Sequence, residues 1–104
     1  MTFDEYQTAA MQTASPNVDL DYALGKLCAE SGEALQLRWK SCYHGKAYTK
    51  ATMADELGDV LWNLQLAAHE LGMTLDAIAA QNLAKLRARH GATYNAAHYT
   101  DGVQ

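Results

Sequence analysis

Residues Ala54–Leu66 read ADELGDVLWNLQL. Leu57, Val60, Leu61, Leu64 and Leu66 leave little of a helical surface polar, so this segment is expected to be a helix buried on most sides. Glu56 and Asp59, three residues apart, share one face of that helix. Carboxylates set among so many apolar side chains are costly unless a cation or a polar cavity receives them. Upstream, Cys28–Leu37 (CAESGEALQL) repeats the device with Glu30 and Glu33.

The pattern is Glu30-x-x-Glu33, a gap of 22 residues, then Glu56-x-x-Asp59. If the two helices pack antiparallel, four carboxylates converge in one cavity, where mutual repulsion raises their pKa values unless a cation enters. An oxygen-only donor set favours hard ions, Mg²⁺ or Mn²⁺, over zinc or iron. Two such ions roughly 3.5–4 Å apart orient a water and stabilise both attacking and leaving oxygens. A single Glu pair at this spacing is commonplace on a solvated helix; two pairs, each in apolar sequence, are not. Di-iron bundles use Glu-x-x-His, and no glutamate here precedes a histidine by three. His44, His69, His90 and His98 are scattered and are read as surface residues rather than ligands.

Around these two segments the chain reads as one all-α domain over 1–104, with a polar, aromatic tail at 91–104. Thr2–Ala14 forms a first helix with Asp4 and Glu5 in its opening turn. Ser15-Pro16-Asn17 ends it. A second helix runs from about Asp19 or Asp21 to about Ser41, with Gly32 between the two glutamates as either a tolerated defect or a point of close approach. Cys42–Lys50 is a loop, and Thr52 with Asp55 resembles a capping box for the third helix. Gly72 is its expected C′ residue. Thr74 caps a fourth helix, which carries Lys85, Arg87, Arg89 and His90 in its last turns and ends at Gly91.

The apolar content of 49% and the single proline fit a globular helical fold. Helices in so short a chain leave an apolar face for a second copy, which points to a four-helix bundle completed by homo-oligomerisation. A net charge of −4 without a run of Lys and Arg argues against a nucleic-acid groove. No segment approaches the roughly 18 apolar residues of a membrane span. Cys28 and Cys42 lack CxxC spacing, no apolar leader follows Met1, and reduced thiols in the cytoplasm are the expectation.

GEALQL after Glu30, DELGDVLW at 55–62 and NLAKLRAR at 82–89 resemble the MazG-type all-α nucleoside triphosphate pyrophosphohydrolases, over roughly Leu24 to His90. The resemblance implies Mg²⁺-dependent cleavage of nucleoside triphosphates to a monophosphate and pyrophosphate, in a homodimer or homotetramer. It makes Glu30, Glu33, Glu56 and Asp59 the metal ligands and catalytic acids, and directs Lys85 and Arg89 at the triphosphate. Asn82, one turn before Lys85, is a further polar contact. Asn63 stands where the family often has an aromatic residue, and its amide, on the face bearing Glu56 and Asp59, is open to bonding a base, a sugar or a carboxylate. Trp39 and Trp62 are read as core or interface before base-stacking. Lys46, Lys50, Tyr94, His98 and Tyr99 stay open between phosphate or substrate contact and solvated surface. Two alternatives are a phosphoribosyl-ATP pyrophosphohydrolase and a non-catalytic helical module that binds nucleotide or protein.

Overall fold

The computed structural model describes residues 1–98: four α-helices and a short 3₁₀ turn at Ala96–His98, with no strand among them. Tyr99 lies outside the described residues, as do the rest of the tail beyond it and the side chain of His98.

Helix α1 (Phe3–Met11) opens on a complete capping box, in which Thr2 Oγ1 accepts from Glu5 N and Glu5 Oε1 accepts from Thr2 N. It stops three residues before the expected Ala14. Gln12, Thr13 and Ala14 instead make tight bonds to the carbonyls three residues back, because the chain must leave the helical region before Pro16. Helix α2 (Leu20–His44) is capped by Asp19, whose Oδ1 accepts from Tyr22 N at 2.7 Å. It runs three residues past Ser41, to Gly45, which takes the left-handed conformation (φ +66°) that closes such a helix. The expected loop at 42–50 therefore shrinks to residues 45–49.

Helix α3 (Lys50–Glu70) is capped by Thr49, not Thr52: Thr49 Oγ1 accepts from Thr52 N at 3.1 Å. At its far end Met73 N donates to Ala68 O and Gly72 N to His69 O, a Schellman closure with Gly72 at φ +71°. Thr74 then caps α4 (Leu75–His90), which ends at Gly91.

The five-residue connection makes α2 and α3 an antiparallel hairpin, and theirs is the most extensive helix contact. Its core lies at the end remote from the connection, where Ala23, Leu66 and Ala67 pack with Met11, Ala14, Val18, Leu20 and Trp62. Trp62 is tied in by Nε1, which donates to Thr13 Oγ1 at 3.0 Å, so it is a packing residue. Helix α1 lies against α3 and α4, while α4 meets α3 only sparingly.

The expectation that α3 is buried on most sides holds only in part. Asn63, Gln65, Leu66, Ala67 and Ala68 are buried, but Leu57 is 55% exposed and Leu64 is 37% exposed. Leu24, Leu35, Trp39 and Leu83 are likewise about half exposed. The radius of gyration is 16.6 Å, against roughly 13 Å for a compact chain of this length. A Cβ at Gly32 would meet open space, so among the described residues no other element approaches it closely.

Candidate active site

The hairpin brings Glu30 and Glu33 of α2 to Glu56 of α3, with one carboxylate oxygen of each within 4.8 Å of the others. Three of the four expected acids thus form one group. The Glu30 side chain is only 12% exposed; its Oε1 takes the Lys26 ammonium at 3.3 Å, four residues back along α2. Glu30 Oε2 and Glu56 Oε2 are buried and accept no hydrogen bond. Glu33 lies at the exposed edge of the group. A hydrogen bond to Glu30, the Glu30 charge, partial desolvation and the Glu56 charge hold its carboxyl above the ordinary carboxylate range.

Two buried acceptor oxygens without donors, beside a third carboxyl that resists ionisation, fit a divalent cation: it supplies the missing positive partner and relieves the repulsion. Among the described residues no histidine or cysteine joins this group, so its donor set is oxygen alone.

Asp59, one turn beyond Glu56, is exposed and stands outside the group of three. Its charge is felt on α1, where burial and then Asp59 push the Tyr6 phenol up. Asn63, next on that face, is 4% exposed rather than presented on an open surface. Its Nδ2 donates to Asp59 O at 2.9 Å, and its Oδ1 is buried without a donor.

The basic residues lie on another element. Lys85, Arg89 and Asn82 are exposed on α4, and among the described residues neither cation forms an ion pair. Lys85 and Asn82 line a groove of about 310 Å³ with Leu71, Met73, Ile78 and Gln81. Asn82 also borders an apolar groove of about 290 Å³ between α1, α3 and α4, walled by Phe3, Leu61, Leu64 and Leu75. Trp39 is 53% exposed on α2, and Lys46 and Lys50 are exposed around the hairpin tip.

Sequence reasoning missed Lys26, although its spacing of four from Glu30 is a visible ion-pair signal. It also missed Tyr6 and Gln7, whose relation to α3 is purely tertiary and leaves no trace in local spacing. No helix among the described residues is long and apolar enough to cross a membrane.

Compared with known proteins, residues 23–93 match the MazG nucleotide pyrophosphohydrolase domain, which takes in α3, α4 and all but the first turn of α2. No curated protein and no solved structure matches the chain.

Proposed function

The chain belongs to the MazG nucleotide pyrophosphohydrolase family, and on this basis we propose that it is a Mg²⁺-dependent nucleoside triphosphate pyrophosphohydrolase. It converts (d)NTP to (d)NMP and pyrophosphate as a cytoplasmic enzyme of nucleotide-pool control or house-cleaning. The observation that carries the reading is the meeting of Glu30, Glu33 and Glu56 around two donorless buried oxygens.

Glu30, Glu33 and Glu56, joined by Asp59, are the residues that would hold Mg²⁺, with Mn²⁺ as a substitute. When bound, the cation lowers the pKa of water and offsets charge on phosphate oxygens. The rest of the chemistry belongs to side chains. A carboxylate of the group accepts the proton of the water that attacks the α-phosphorus, and the bond from that phosphorus to the bridging oxygen of the β-phosphate breaks. Lys85 and Arg89 hold the departing pyrophosphate and offset its growing charge. Asn82 and Asn63 supply neutral polar contacts to the rest of the nucleotide. The half-exposed leucines and Trp39 are covered by a second copy, in a homodimer or homotetramer.

A panel of canonical and modified nucleoside triphosphates with Mg²⁺, assayed separately for pyrophosphate and orthophosphate, tests the reading. Pyrophosphate as the sole inorganic product is expected. Orthophosphate release, or stoichiometric binding without turnover, overturns it. Turnover of phosphoribosyl-ATP alone replaces the substrate.

A further inference from the structure

Gln7 is 8% exposed and spends its whole side chain on three main-chain groups, one each on α3, on the α3–α4 turn and on α4. Its Nε2 donates to Gln65 O of α3 at 3.4 Å and to Met73 O of the α3–α4 turn at 3.2 Å. Its Oε1 accepts from Leu75 N, the first residue of α4, at 3.0 Å. Leu75 is itself buried, so that N–H has no water to turn to. Among the described residues the contact of α4 with α3 is sparse, its other sizeable contact is with α1, and Lys85 and Arg89 are exposed. An angle set at the start of the helix carries along its length. Lys85 sits ten residues from that end, about 15 Å along the axis, so a small angular change at Leu75 moves its ammonium by ångströms.

We infer that Gln7 is a positioning residue: by bolting the start of α4 to α1 and α3, it sets where Lys85 and Arg89 stand relative to the acidic group on the α2–α3 hairpin. The inference rests on the proposed role of that basic pair. It concerns a residue outside the 23–93 match, so the stretch that carries the acids and bases lacks the group that fixes their relation.

The experiment compares the wild type with Gln7→Met, which keeps the volume and removes all three bonds, and with Gln7→Glu, which keeps only the acceptor for Leu75 N–H. Spin labels on Cys42 and on an introduced Ala88→Cys, with Cys28→Ser and dilution by unlabelled chains, report the α2–α4 distance within one chain. The expected result is a broadened distance distribution in Q7M with a narrower one in Q7E. kcat/KM for the triphosphate falls about tenfold in Q7M, the equivalent of one lost hydrogen bond between buried groups, and kcat falls with it because the basic pair offsets charge that grows in the transition state. In a Lys85→Ala/Arg89→Ala background, Q7M lowers kcat/KM no further. An unchanged distance distribution, or the same kcat/KM penalty with and without the basic pair, overturns the inference. If Q7M does not fold, the same readouts on Q7E decide. If the wild type releases no pyrophosphate, the proposed function fails, and the distance distribution alone decides whether Gln7 fixes α4.

Discussion

Glu33 keeps its proton to higher pH in the folded chain than in the unfolded one, since Glu30 and Glu56 oppose its ionisation. Without metal the folded state therefore binds more protons than the unfolded state, and Glu33 contributes stability that is complete below 4.5 and lost as pH rises through the raised value. In thermal melts of chelated protein, the melting point of the wild type relative to Glu33→Gln should rise as pH falls from neutrality into that window. Acids remote from the group are common to both proteins and cancel, and excess Mg²⁺, which favours the ionised form, should erase the trend. Exchanging Glu56 or Asp59 for its amide should lower kcat/KM by at least about a hundredfold with circular dichroism unchanged, since ligand loss outweighs the loss of an outer-sphere partner. Full turnover in Asp59→Asn would remove Asp59 from the working set, a sharp test because it alone of the four stands apart. The spacing of three within each pair made the facing carboxylates legible from sequence. Asp59's distance from the others was not, because it depends on how α3 is rotated against α2.

Helix ends were the most readable elements. Thr2 with Glu5, Asp19, Thr74, Gly72 and Gly91 each act where residue chemistry suggests. The exceptions are the ends of α1 and α2, each three residues from where they were expected, and the start of α3, where two threonines three apart compete and the earlier one is the cap. Gly72 is not open to change, since its φ of +71° strains any side chain even though space surrounds it. Gly72→Ala should destabilise the fold by about 1 kcal/mol, seen as a lower denaturation midpoint at unchanged slope. Thr74→Ala should cost about 1 kcal/mol, since it removes the oxygen that accepts from Ala77 N at 3.1 Å.

The molecule as a whole is flat, 43 × 42 × 27 Å, with leucines half uncovered on several faces. Composition and helical period forecast four helices well. They did not forecast how little one chain buries, because apolar periodicity cannot tell a face that meets its own chain from one that meets a copy. Sedimentation should give a mass at least twice the 11.4 kDa of the chain. Leu57→Glu should shift it towards the single chain and lower the melting temperature. The two cysteines are exposed on one continuous helix, 14 positions and hence about 21 Å apart. A disulfide tolerates no more than about 7 Å between Cα atoms, so the rigid rod of α2 forbids an internal bridge. Any oxidative cross-link must therefore tie one polypeptide to another, and the ladder on a non-reducing gel becomes a record of which rods lie side by side.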